Sequence, residues 1–284
     1  MKLKDYFPDM TRGSLPLNDD QWISLENEEG YLHLPKNGLS ERELLLLELI
    51  QKQTQEKRVG DISSPWYPYL IEQKGKQPHY FAQCQFIYLN HHLPLSEDLV
   101  DLFHSLIPGV EVILPVSQTR TVLLLRQETD ADTLRVLADT LPTIESDFGL
   151  ALMIFVGNSW NKLSGTALRD YFEEENALFS HYLNQKAAGN LVTFAKLMLW
   201  SLLSSVGFPH LEQHFSQVLS NHKEMSEVVL AMWQSQGNLV QTAQALFIHR
   251  NSLQYKLDKF AQQSGLHLKN LDDLAFAYLF LLKH

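Results

Sequence analysis

Seven of the eight side chains in HRNSLQYK, residues 249–256, carry hydrogen-bonding groups, and the chemistry open to them is recognition, not bond making. Arg250 presents a planar fork that suits the paired acceptors on a guanine edge. Asn251 or Gln254 can both donate to and accept from adenine. Ser252 can reach a base or a phosphate, while Tyr255 and Lys256 lie where a nucleic-acid backbone would pass. The same residues would also suit the solvated face of a helix in a small bundle, so what surrounds them decides between the two readings.

The surrounding residues predict two short helices held at a sharp angle. Asn238 follows Gly237 and is a good N-cap, because its side-chain oxygen can take an amide that the first turn leaves unpaired. Leu239, Ala243 and Leu246 then fall on one helical face, and Phe247, Ile248 and His249 form a three-residue turn. The second helix opens near Arg250 and directs Leu253 and Leu257 inward, against Ala243 and Ile248. A small residue at 243 lets the helices cross closely. These constraints describe a helix-turn-helix over residues 238–257. Phe247 stands where many such motifs place a glycine at positive φ, so the turn is expected to be strained or differently shaped.

The run from Gly237 to Leu282 resembles the C-terminal helix-turn-helix of the PucR/CdaR group of bacterial transcriptional regulators. The group's pattern is roughly GN, then Ala and Leu, then HRN-[TS]-L-x-Y-[RK]-L and a later Gly. Here it is met by Gly237, Asn238, Ala243, Leu246, His249, Arg250, Asn251, Ser252, Leu253, Tyr255, Lys256, Leu257, Ser264 and Gly265. The helix pair is also similar to the C-terminal half of the Fis nucleoid protein. Lys256 and Asp258 make the second helix less basic than is usual in the group. Upstream, IFVGNSWNKLSGTALRDYFEEENALF resembles the last strand and helix of a degenerate GGDEF domain, which such regulators often carry. The resemblance implies sequence-specific binding to double-stranded DNA, with the contacts made by residues 249–252 and 254–256.

Charge and composition agree with one nucleic-acid-facing end on an acidic body. The 284 residues carry a formal net charge of -10, but from Gln236 to His284 five basic residues face three acidic ones, which leaves -12 on the first 235. With 45% hydrophobic and 20% charged residues the chain is an ordinary globular one, long enough for two or three domains. No stretch reaches the roughly 18 uninterrupted apolar residues of a membrane span, and MKLKDYFPDM has no apolar core of a signal peptide, so a cytoplasmic location is expected.

The pattern predicts an α+β chain of three parts. Residues 1–77 form a small mixed unit: WISLENEEGYLHLP is a hairpin signal, and Ser40 with Glu43 forms a capping box ahead of a helix. Residues 78–185 show the order β-α-β-β-α-β, a ferredoxin-like arrangement in which an antiparallel sheet carries two helices on one face, followed by a further helix. Residues 186–284 read as all helix and end in the helix-turn-helix. Glu173, Glu174 and Glu175 on the preceding helix read as a solvated face, and Cys84 as a small core residue.

No enzyme is expected. A diguanylate cyclase holds nucleotide and magnesium at a Gly- and carboxylate-rich hairpin, and the corresponding PVSQTRTV has no Gly, Asp or Glu. His210 and His214 are four apart on a helix but lack a further ligand, so neither metal nor cofactor is anticipated. The sequence therefore points to a DNA-binding regulator. It would act as a homodimer or higher even oligomer on an inverted repeat, with the body as the place for a small-molecule effector. Two other readings stay open. One is an interaction protein whose helix-turn-helix only packs, and the other a nucleotide-binding sensor built on the sheet.

Overall fold

The structure, a computed structural model, describes all residues except 1–3, 5, 28–29, 56–57, 128–131, 164, 186–188, 221–222 and 284. Near the N-terminus β1 (Thr11–Gly13), β2 (Trp22–Asn27) and β3 (Gly30–Pro35) form an antiparallel sheet in the order β1-β3-β2. The expected hairpin is β2–β3, and the middle of its turn, residues 28–29, lies outside the described residues. The capping box is made: the Ser40 N–H donates to Glu43 Oε2 at 2.8 Å, the Glu43 N–H donates to Ser40 Oγ at 3.3 Å, and α1 (Glu41–Gln55) follows. A short α2 (Trp66–Leu70) then buries Trp66, Tyr69 and Leu70.

The central sheet is built from β4 (Gln83–His91), β5 (Val110–Ser117), β6 (Arg120–Arg126), β7 (Leu152–Asn161) and β8 (Leu191–Thr193), in the order β5-β6-β4-β7-β8. The pairs β5–β6, β4–β6 and β4–β7 are antiparallel, and β8 joins β7 in parallel. Two helices, α3 (Glu97–Leu106) and α4 (Thr133–Phe148), cover one face, where Phe103, Leu137 and Ile144 pack with Ile87, Leu89 and Ile154. The alternate residues Phe86, Tyr88 and Phe155 point the other way, towards α5 (Thr166–Leu183) and its Phe172 and Phe179. Because β4 is buried on both faces, it reads as one apolar run.

Strand β8 corrects the expectation that residues after 185 are all helical. LVT reads as the start of a helix, yet it pairs with β7 and the helix α6 (Phe194–Ser204) starts only after it. Three residues are too few to show an alternation. Then come α7 (Pro209–Ser220), α8 (Lys223–Gln234), α9 (Leu239–Ala245), α10 (Arg250–Ser264) and α11 (Leu271–Lys283). Their core is aromatic: Phe215 meets Phe276 edge-on at 5.1 Å between ring centres and Phe194 at 5.8 Å. One apolar cluster runs from Leu15 through the sheet to Phe280. Among the described residues no helix is long and apolar enough to cross a membrane.

A second correction concerns the three glutamates of α5. Glu173 is exposed and accepts from Gln73, and Glu174 accepts from the main chain of His210 and Leu211, but Glu175 is fully buried. Successive helical residues turn by about 100°, so the third of three carboxylates faces the sheet that the first one avoids.

Candidate nucleic-acid interface

Asn238 caps α9 as its type suggests, its Oδ1 accepting from the N–H groups of Val240 at 3.0 Å and Gln241 at 3.2 Å. The inner face of α9 is Thr242 and Ala243, both buried, with Leu239 and Leu246 packed at the margin of the core. The Thr242 hydroxyl turns back to the Asn238 carbonyl at 2.8 Å and so hides a polar group in an apolar setting. The turn keeps the left-handed residue. Phe247 has φ of 53°, and the Ile248 N–H reaches the Ala243 carbonyl at 3.0 Å. The bulky residue therefore adopts the glycine conformation without reshaping the turn, and its side chain is 97% exposed.

His249 is the N-cap of α10, its Nδ1 accepting from the Asn251 N–H at 3.2 Å. One nitrogen of a residue expected to face DNA is thus engaged in holding the helix. Leu253, Leu257 and Phe260 are buried beneath α10 and fix which way the rest point. Arg250, Asn251, Ser252 and Tyr255 are exposed, and Gln254 and Lys256 are half-buried. Two of the set have partners within the protein: Gln254 donates to Asp258, and Lys256 pairs with Glu224 of α8. Helical geometry places Lys259, also exposed, one turn beyond Tyr255 on the outward face. Lys259 is absent from the set expected from sequence, although its i, i+4 spacing from Tyr255 is a signal that locates it.

The far end of α10 is fastened to the sheet. Asn158 of β7 donates its side-chain amide to the Ser264 carbonyl at 2.8 Å in buried surroundings, and Asn161 donates to the Gln262 carbonyl. Gly265 ends the helix at φ of 77°, where an added Cβ would lie 2.2 Å from Asn158 Oδ1. Behind Asn158 stands Glu175. Its Oε1 accepts from the Asn158 N–H at 2.9 Å and from Trp160 Nε1 at 3.0 Å, and its Oε2 from the Tyr88 hydroxyl at 3.1 Å. Burial outweighs these bonds and pushes the Glu175 carboxyl up to about 8. Gly157 admits this carboxyl: a Cβ there would sit 2.4 Å from Oε2.

Other candidate chemistry disperses. His210 bonds Glu174 at 2.8 Å, while His214 is half-buried against Trp160, Tyr171 and Phe215, and the loss of solvent around its ring pushes its pKa down to about 4. Among the described residues no three His, Cys, Asp or Glu side chains gather as a metal site. Cys84 is a buried core residue whose thiol burial pushes up to about 12. The β5–β6 turn is covered by the N-terminal sheet: Glu26 accepts from the Gln118 N–H, and the Tyr31 hydroxyl donates to the Val116 carbonyl at 2.5 Å.

Residues 225–282, from α8 to α11, match the PucR C-terminal helix-turn-helix domain. The chain is 55% identical to a leucine-rich protein of Streptococcus dysgalactiae subsp. equisimilis over all 284 residues, which is the whole of both. It is 26% identical to the uncharacterised protein YxkF of Bacillus subtilis (strain 168) over 273 residues, 91% of this chain and 89% of that one. A 65-residue stretch, 23% of this chain and 17% of the other, is 32% identical to the carbohydrate diacid regulator of Escherichia coli (strain K12). The C-terminal part of the chain is thus a PucR-type helix-turn-helix domain, similar in sequence to part of a transcriptional regulator, and over its full length the chain belongs to one family with the streptococcal leucine-rich protein.

Proposed function

We propose that the protein binds duplex DNA sequence-specifically through α10, as a homodimer or higher even oligomer on an inverted repeat, in the cytoplasm. The observation that carries this is the outward face of α10. Arg250, Asn251, Ser252, Tyr255 and Lys259 stand free of the core on a helix capped by His249, beside a short crossing helix. Arg250 and Asn251, at the N-terminal end, suit guanine and adenine edges. Ser252, Gln254, Tyr255, Lys256 and Lys259 suit flanking bases and phosphates, and His249 keeps its second ring nitrogen for the same purpose.

A single reading head of this size makes too few contacts for tight operator binding, and two-fold symmetry doubles them. Helix α1 supports a second copy as the partner. None of its residues is buried, and Leu45, Leu46, Leu49 and Ile50 are each at least half exposed in one stripe. Its first turn is acidic, Glu41 and Glu43, and its last is basic, Lys52. A copy running antiparallel sets Leu45 beside Ile50, Leu46 beside Leu49 and each acidic end beside a basic one.

The body is read as two units, residues 1–77 and 78–185, ahead of a helical unit, 186–284. The strand order β5-β6-β4-β7, with α3 and α4 on one face, supports a ferredoxin-like, degenerate GGDEF-like unit that senses an effector and catalyses nothing.

Selection from random duplex DNA, run with the wild type, Arg250→Ala and Asn251→Ala, tests the reading. Enrichment of a palindromic site lost in both variants, with circular dichroism unchanged, is the expected result. If nothing enriches at low salt, with or without cell extract as a source of effector, the helix pair has only a packing role.

A further inference from the structure

Arg120 opens β6 beside the β5–β6 turn and is only 8% exposed. Its Nη1 donates to Asn176 Oδ1 at 3.0 Å and, at the limit of reach, to Ser180 Oγ at 3.5 Å. Nη2 donates to Asn90 Oδ1 at 3.2 Å. The Phe179 ring centre lies 4.5 Å from the guanidinium carbon. Every one of these partners is neutral. The buried Nε–H has no acceptor, and among the described residues no carboxylate pairs with Arg120. The adjacent buried carboxyl, Glu175, is turned to Tyr88, Asn158 and Trp160 instead.

A buried cation without a counter-charge is costly, and a guanidinium cannot escape the cost by losing its proton at neutral pH. Burial pushes Arg120 down only to about 10. The residue lines a cavity of about 80 Å³ where the N-terminal sheet meets the turn, together with Ser14, Asn90, Ser117, Thr119 and Ser180. One water needs about 10–15 Å³, so there is room for a small polyatomic ion. The lining offers hydroxyl and amide donors around one fixed positive charge.

We infer that this cavity binds a small oxyanion, with the Arg120 guanidinium as its counter-charge and the surrounding hydroxyls as further donors. The site deepens the proposed function by giving the effector a chemical class, and only its consequence for DNA rests on that reading. The route to α10 is short. Asn176 holds Arg120, its neighbour Glu175 holds Asn158, and Asn158 holds the Ser264 carbonyl. An anion that draws Arg120 towards the cavity alters the α5 contacts on which the end of α10 depends.

The test uses the full chain without DNA, titrated with inorganic phosphate and with succinate at matched ionic strength against chloride, and followed by calorimetry and thermal melting. A saturable rise in Tm with one of them is expected, and which one responds separates phosphate-type from carboxylate-type ligands. Asn90→Asp nearly preserves shape and places a carboxylate on the guanidinium. It should raise the Tm of the unliganded protein and weaken anion binding about tenfold or more. Arg120→Gln should bind neither anion, and if it fails to fold Asn90→Asp still decides. The site is refuted if neither anion binds saturably to the wild type, or if Asn90→Asp responds equally. A failed DNA selection beside intact anion binding would remove the regulatory reading and leave the site.

Discussion

Asn158 and Ser264 are 106 residues apart in sequence, yet the side-chain amide of the first meets the main-chain carbonyl of the second at 2.8 Å inside the protein. That bond joins the central sheet to the last turn of the helix that faces outward with Arg250 and Asn251. Its Nδ2 donor is positioned from behind, because Glu175 accepts from the Asn158 main chain. Helix α10 is therefore set by the sheet at one end and by the turn after α9 at the other.

Removing the amide should loosen that end first. Asn158→Leu leaves the buried Ser264 carbonyl unpaired, at a cost of about 1–3 kcal/mol. Hydrogen exchange should quicken over residues 260–268 before it does in the sheet. Gly265→Ala should act in the same direction, since its Cβ would strike Asn158 and the backbone there is left-handed. Equal exchange in α10 of wild type and both variants would show that the fastening has no effect on the helix.

Glu175 gives the protein a distinctive response to pH. Burial raises its carboxyl to about 8 in the folded state, against an ordinary value near 4.5. Below pH ~4.5 it is protonated folded or unfolded, and its contribution is complete. As pH rises towards 8 the unfolded chain releases the proton that the native state keeps. Stability therefore falls across that window, by about 1.4 kcal/mol for each step of one in pH. His91 and His214, each pushed down to about 4 by burial, act oppositely and lose stability as pH falls from about 6.5 to 4. Glu175→Gln keeps an acceptor for Asn158 and Trp160 without the titration. Its melting temperature should exceed that of the wild type at pH 8 and approach it at pH 5, and a constant gap between the two would exclude Glu175 as the source.

Phe247 holds a left-handed backbone with its ring in solvent, so it has strain and no packing in return. Phe247→Asn, a residue that tolerates this conformation, should stabilise the protein by about 0.5–1 kcal/mol in denaturant unfolding. A loss of stability would mean that the ring has a partner in solution.

The local signals in the sequence are those that the structure honours most closely. Ser40 and Glu43 cap α1, Asn238 caps α9, and the double-sided apolar run of β4 forms the middle of the sheet, since each depends only on neighbours a few residues away. What is not legible depends on distant partners. Glu175 looks like its two exposed neighbours until α5 is laid on the sheet. The pairing of LVT with β7 needs partners 37 residues earlier, Ile154 against Leu191, and the engagement of Lys256 needs Glu224 on another helix. The outward set on α10 is readable because the helix period and Leu253 and Leu257 define its inner face. Which members already have partners is not.

If α1 is the seam between copies, its apolar stripe should be sensitive to charge although it contributes little to the fold of one chain. Leu46→Asp with Leu49→Asp changes only exposed positions. The pair should convert a dimer to a monomer in sedimentation velocity, with an unchanged circular dichroism spectrum. An unaltered sedimentation coefficient would place the seam elsewhere.

Lys256 offers the sharpest separation of structural from recognition roles on α10. Its ammonium pairs with Glu224, whose side chain is 76% exposed, so the pair is screened by water and is worth at most about 1 kcal/mol. The same carboxylate competes with any phosphate for the lysine and adds a negative charge beside the reading face. Glu224→Gln should therefore leave unfolding nearly unchanged while tightening DNA binding and steepening its dependence on salt by about one counterion. Lys256→Gln should do the reverse to binding, again with little effect on stability. The two variants give a paired measurement on a selected duplex over a range of salt concentrations. If Glu224→Gln binds no more tightly and with the same salt slope, Lys256 serves the packing of α8 against α10 and the DNA backbone passes elsewhere.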